Sequence, residues 1–164
     1  MNKLSKRINN LSESATLAMS RLSRELKEQG KDVISLSLGE PDFNTPDFIK
    51  NSAVQAINDN FSHYTPVPGI LELRKSICKK FYRDNNLEFN ENQIVVSTGA
   101  KQSIANVCLS LLDKGDEVIL LAPYWVSYFE IVKLCGAKPI VVESKIENNF
   151  KPSVEEIDKK ISDK

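Results

Sequence analysis

The stretch from Ile94 to Tyr128, IVVSTGAKQSIANVCLSLLDKGDEVILLAPYWVSY, limits the fold more than any other part of the chain. An apolar, β-branched run at Ile94 to Val96 stops at Ser97-Thr98-Gly99. An apolar-periodic segment opens at Ala100 and carries Ile104, Val107, Cys108, Leu111 and Leu112. This order predicts strand, tight turn and helix. Lys114-Gly115-Asp116 ends the helix, Val118 to Ala122 predicts a second buried strand, and Pro123-Tyr124-Trp125 follows.

A helix that begins directly after a strand offers unpaired N–H groups and a partial positive charge, both suited to phosphate. Gly99 permits close approach of an anion to the backbone, and Ser97, Thr98 and Lys101 add side-chain donors. Trp125 brings a large flat ring back to the same sheet edge. Phosphate donors beside an aromatic plate suit a phosphorylated aromatic cofactor. The same residues also fit an ordinary turn and a packing tryptophan, since the turn lacks both GxGxxG and the GK[ST] ending of a P-loop.

The rest of the chain extends this pattern. Apolar positions from Ser14 onward predict an amphipathic helix that ends at Gly30. Ahead of it, Ser12 to Thr16 is a hydroxyl-rich arm that either touches a ligand or caps the helix. Val33 to Leu38 alternates and predicts a strand. It runs into a stiff loop, Gly39-Glu40-Pro41-Asp42-Phe43 and then Asn44-Thr45-Pro46. Thr45 is expected to cap a helix with Pro46 at its first position, reaching about Asn60. His63 to Gly69 (HYTPVPG) is a second stiff loop, which fixes Tyr64 either in the core or with its hydroxyl in a site.

The next helix, Ile70 to Asn85, carries Leu71, Leu73, Ile77, Phe81 and Tyr82 mostly on one side. Arg74, Lys75, Lys79, Lys80 and Arg83 form a solvated basic face. Beyond the central stretch come a helix from Val126 to Leu134 closed by Gly136, a third strand from Lys138 to Glu143, a turn at Glu147 to Asn149, and a helix from Val154 to Ile161. From residue 93 the order βαβαβα marks a largely parallel sheet covered by helices.

The 22 basic and 22 acidic residues cancel, so no charge field points to nucleic acid. No apolar run is long enough to span a bilayer, and the polar stretch from Met1 to Asn10 lacks the core of a signal peptide. A cytoplasmic location is expected. Cys78, Cys108 and Cys135 are odd in number and show no CxxC spacing, which suits buried thiols and neither disulfides nor zinc. His63 is the only histidine, so a histidine metal cluster is excluded.

Four motifs in order resemble a known family. They are Gly39-Glu40-Pro41-Asp42-Phe43; Tyr64-Thr65-Pro66 with Gly69; Ser97-Thr98-Gly99-Ala100-Lys101-Gln102; and Pro123-Tyr124-Trp125-Val126-Ser127-Tyr128. Together they are similar to the class I and II aminotransferases, pyridoxal-phosphate enzymes of fold type I, and to the bacterial aspartate enzymes in particular, from about Leu4 to the end. The resemblance implies an α/β fold, a three-layer α/β/α arrangement around a mostly parallel sheet. Residues 1–45 would form an arm and part of a small domain, and 46–164 the N-terminal part of the cofactor-binding large domain.

It further implies roles for individual residues. Backbone N–H groups at Gly99, Ala100 and Lys101 would hold the phosphate of pyridoxal 5'-phosphate, and Trp125 would stack on its ring and border the substrate. Gly39 would contact the substrate carboxylate side through its backbone. Tyr64 would reach the phosphate of the neighbouring subunit in a homodimer. The arm, with Ser14 and Thr16, would close over the amino acid or 2-oxo acid.

The resemblance places the family's Schiff-base lysine beyond Lys164. The residues that hold the ring oxygen and nitrogen, and the arginine for the substrate α-carboxylate, would lie there too. The chain is therefore expected to be an N-terminal portion with no catalytic residue of its own, inactive alone, and either self-associating or marginally folded. Lys101 matches the phosphate turn, not the catalytic lysine. Relatives that also accept prephenate tend to carry a lysine in the part of the arm where Ser12 stands, so the resemblance makes prephenate the less expected substrate. The rival functions are a phosphate-ligand binding module, a non-catalytic partner chain that completes another subunit's site through Tyr64, and a lyase or synthase using the same cofactor.

Overall fold

The computed structural model describes residues 3–164, and Met1 and Asn2 of the polar N-terminal stretch lie outside them. The elements in chain order are α1 (Lys6–Asn9), α2 (Ala15–Glu28), α3 (Asp47–Asn58), α4 (Leu71–Asn85), α5 (Ala100–Leu111), β1 (Glu117–Leu121), α6 (Val126–Leu134), β2 (Lys138–Val142) and α7 (Val154–Asp158). They fall into two compact units, one of residues 1–39 with 99–164 and the other of residues 40–98.

In the first unit β1 and β2 pair in parallel, with Glu117 opposite Lys138 and Leu121 opposite Val142. A further bond from the Ala122 N–H to the Val142 carbonyl, 2.9 Å, prolongs the ladder. Helix α6 connects the strands and packs on both, as a parallel pair requires, and α5 packs on α6. The core is Leu120, Ile131, Val132, Ala137 and Val142. Val132 and Val142 are each 2% exposed, and burying such a side chain contributes about 2 kcal/mol. Gly136, at φ +87°, ends α6 in the left-handed region that glycine tolerates.

The second unit is built on α3, α4 and a 3₁₀ turn at Glu91–Gln93. Phe81 and Phe89 meet edge to face with centroids 5.6 Å apart. Ile94 is buried. Asn86 stops α4 in the left-handed conformation, which asparagine adopts more readily than other non-glycine residues.

The α/β class and the parallel sense agree with expectation, but the extent of the sheet differs. Among the described residues it has two strands. Ile94 has extended backbone, yet the Val96 N–H donates to the Pro68 carbonyl at 3.0 Å, a single bond into a loop and not a ladder. Val33 to Leu38 likewise forms no strand, and Ile34 and Leu36 are 85% and 91% exposed. Alternation records which faces a segment could bury, but a strand exists only where a neighbour supplies the other half of each hydrogen bond.

At the helix ends, Pro46 itself is the cap residue of α3, and Thr45 does not cap it. The last helix stops at Asp158, three residues before the expected Ile161. Helix α1, capped by Ser5, is too short to show a period in sequence.

Candidate functional site

Helix α5 opens at Gly99, whose backbone (φ +83°, ψ 166°) only glycine adopts without strain. No side chain caps α5. A Cβ at Gly99 would meet no atom within 4 Å, so open space borders the first turn. The N–H groups of a first helical turn lack partners within the helix, and the helix dipole adds about half a positive charge there.

Trp125 is the residue before α6. Its indole is 42% exposed and meets Tyr128 edge to face, centroids 5.6 Å apart and planes at 89°. The Lys101 ammonium lies 4.5 Å from the Trp125 centroid, a cation–π contact that contributes about 0.5–1 kcal/mol at an exposed site. The Lys101 side chain therefore reaches from the predicted phosphate turn to the predicted aromatic plate. A glycine turn with free space, a helix N-terminus, a nearby ammonium and a half-exposed indole match the donor set of a phosphorylated aromatic ring.

The remaining expected residues are placed as follows. Thr16 is half-buried in the first turn of α2. Of the arm's hydroxyls, Ser14 caps α2, accepting from the Leu17 N–H at 3.5 Å. The Ser12 N–H donates instead to the Glu130 carboxylate, 3.1 Å away. Gly39 is exposed, with open space where a Cβ would stand. Tyr64 belongs to the second unit, and its ring is fully exposed, which removes the core alternative. Lys164 is not assigned the covalent lysine role. It is exposed, and its N–H donates to Ser162 Oγ at 3.2 Å. That hydroxyl in turn donates to Glu117 at 2.8 Å, which ties the segment to the first residue of β1 and not to the α5 turn.

Two groups escaped the sequence reading. Arg74, expected on the solvated basic face, is half-buried; its Nε donates to the Gly69 carbonyl at 3.1 Å and an Nη to the Glu91 carbonyl at 2.7 Å. It thereby ties the loop that follows Tyr64 to the 3₁₀ turn. Glu130 and Lys133 form a half-buried pair on α6, and their i, i+3 spacing was the one signal available in sequence. Tyr82, expected on the apolar side of α4, is exposed.

The titratable groups are structural in character. Hydrogen bonds from Lys138 and Ser162 hold the Glu117 carboxyl below the usual range. Burial, with Cys108 nearby, pushes the Cys135 thiol up and away from reactivity. All three cysteines are free. No group of three potential ligands among the described residues could hold a metal ion. No helix among them is long and apolar enough to cross a membrane.

Comparison with known proteins fits this geometry. The chain is 48% identical over 164 residues to a probable aspartate/prephenate aminotransferase of Rickettsia felis, covering 100% of this chain and 40% of that protein. It is 49% identical over 162 residues to the aspartate aminotransferase of Bacillus subtilis, covering 99% of this chain and 41% of that protein. The chain thus spans about two-fifths of the length of these curated relatives. Its structure superposes on the aspartate aminotransferase from Thermus thermophilus with maleate at a TM-score of 0.94, with 40% identity, covering 99% of this chain and 42% of that one. Residues 31–164 match the family described as aminotransferase class I and II, and the chain belongs to that family.

Proposed function

We propose that this chain contributes the phosphate turn and the ring-stacking plate to a pyridoxal 5'-phosphate-dependent transfer of an amino group between an amino acid, aspartate first, and a 2-oxo acid. The observation that carries the proposal is the contact between Lys101 and Trp125, which joins the turn to the plate. The naming of relatives as aspartate aminotransferases supports the reaction class. When bound, the cofactor supplies the electron sink for charge that develops at the substrate α-carbon.

The protein's share is binding and orientation. The Gly99, Ala100 and Lys101 N–H groups would anchor the phosphate at the positive end of α5. The Trp125 face would fix the tilt of the ring and keep water from it, and Tyr128, edge-on, would hold the indole in place. Gly39 would present backbone to the substrate carboxylate, and Thr16 would border the substrate from the arm. Tyr64, with its ring free, would serve the phosphate of a second subunit in a homodimer. Residues 1–45 are assigned to the arm and part of the small domain, and 46–164 to the large domain. No residue up to Lys164 is assigned the covalent lysine role, and Lys101 stays with the phosphate turn.

Titration of the chain with pyridoxal phosphate, followed by the emission of its single tryptophan, tests the proposal. Saturable quenching is expected, competed by inorganic phosphate and lost in Gly99→Val, with no borohydride-trapped adduct at Lys101. Equal affinity for inorganic phosphate and pyridoxal phosphate would favour a simple phosphate-binding module. Absence of saturable binding, or stoichiometric trapping at Lys101, would overturn the assignment.

A further inference from the structure

The arm ahead of α2 is held at a point that the proposed cofactor chemistry does not use. Helix α1 packs on α6. Three residues past α1, the Ser12 N–H donates to Glu130 Oε2 at 3.1 Å, a bond across 118 positions of sequence. The same carboxylate is gripped by Lys133 Nζ at 3.3 and 3.2 Å, and both side chains are only 26% exposed. An i, i+3 ion pair in water contributes little. Here the carboxylate is largely shielded and takes a charge-assisted bond from the main chain of a distant segment, which is stronger and directional.

The consequence lies next to it. Ser14 and Ala15 at the start of α2, and Tyr124 and Val126 at the start of α6, line one cavity of about 370 Å³, and Glu130 stands in its wall.

We propose that Glu130, oriented by Lys133, is a positioning residue that clamps the N-terminal arm to α6 and so fixes the opening between the starts of α2 and α6. That this opening admits an amino acid rests on the aminotransferase reading above; the clamp itself does not.

Amide hydrogen exchange on the 164-residue chain tests it. In Glu130→Ala the Ser12 amide should exchange about tenfold faster, while amides of β1 and β2 keep their protection. Glu130→Gln retains an acceptor oxygen and should recover most of the protection. Lys133→Met leaves the carboxylate unoriented and should fall between wild type and Glu130→Ala. Pyridoxal phosphate should quench Trp125 equally in wild type and in Glu130→Ala.

Unchanged Ser12 exchange in Glu130→Ala with intact β1 and β2, or exchange in Glu130→Gln as fast as in Glu130→Ala, would overturn the clamp. If Glu130→Ala does not fold, Lys133→Met decides, and wild-type Ser12 exchange in that variant overturns the proposal. Failure of the wild type to bind pyridoxal phosphate would count against the proposed function and leave the exchange result standing.

Discussion

Replacing Gly69 by alanine should damage the second unit by two separable routes. Gly69 has φ +100°, and an added Cβ would stand 2.7 Å from Val96 Cγ2 and 2.9 Å from Val96 Cβ. The backbone conformation alone costs a non-glycine residue about 1–2 kcal/mol. Overpacking adds about 1–3 kcal/mol. Alanine also stiffens the unfolded chain, which returns about 0.4–1 kcal/mol. The net expectation is a loss of about 1–4.5 kcal/mol. Val96 cannot retreat freely, because its N–H is tied to the Pro68 carbonyl at 3.0 Å.

The two routes separate in a double-mutant cycle with Val96→Ala, measured by urea denaturation and by exchange at the Val96 amide. Val96→Ala removes Cγ1 and Cγ2 but leaves the Cβ contact and the positive φ. Gly69→Ala should therefore cost about 1–2 kcal/mol less in that background. A loss below about 0.5 kcal/mol for Gly69→Ala, or no coupling between the sites, would refute the reasoning.

Other outcomes follow from the same structure. Arg74→Met keeps most of the apolar stem but leaves the Gly69 and Glu91 carbonyls without their donor; it should cost about 1.5–3 kcal/mol in a urea melt, and a wild-type midpoint would contradict the clamp on the loop. Trp125→Ala removes a half-exposed ring, so the melt should move by no more than about 1 kcal/mol while pyridoxal phosphate affinity falls about tenfold. The Glu117 carboxyl is held below its usual value, and the Arg83 hydrogen bond lowers Asp84 to about 2. Both therefore support the folded state above the ordinary carboxylate range; the share of Asp84 fades as pH falls from about 4 toward about 2, and that of Glu117 fades as pH falls below the ordinary carboxylate range. Acid titration of Glu117→Gln with Asp84→Asn should show a flatter loss of stability across that window than wild type does.

Helices were legible because each carries its own period and its own stop. Helix α6 runs from Val126 to Leu134 as its apolar spacing and Gly136 indicate, and α2 ends just ahead of Gly30. Strands were less legible, because half of every strand belongs to another segment. Ile94 to Val96 and Val33 to Leu38 have the composition of strands, but their main-chain groups pair in no ladder here. The site was legible in part. Gly99, Lys101 and Trp125 could be singled out by residue type and position, and Lys101 does reach Trp125. Arg74 looked like any cation of a basic run, since nothing local shows that its guanidinium reaches a carbonyl 17 positions away. The long-range partner of Glu130 is the Ser12 backbone N–H, and backbone groups leave no residue-type signal.

The bond between Ser12 and Glu130 also sets an order of events during synthesis. The first unit is discontinuous, with residues 40–98 made between its two pieces. At ordinary elongation rates, 118 residues separate the two partners by about 6–24 s. Closing so long a loop also carries an entropic cost of about 4 kcal/mol. The continuous unit can settle first, whereas the arm must wait for α6, on which α1 packs and to which Ser12 bonds. During that interval the newly made arm presents an amphipathic helix whose apolar side has nothing to lie on, a target for chaperones. Arrested chains of increasing length should keep a protease-sensitive arm until α6 has left the ribosome. Early protection would show that the arm finds another partner first.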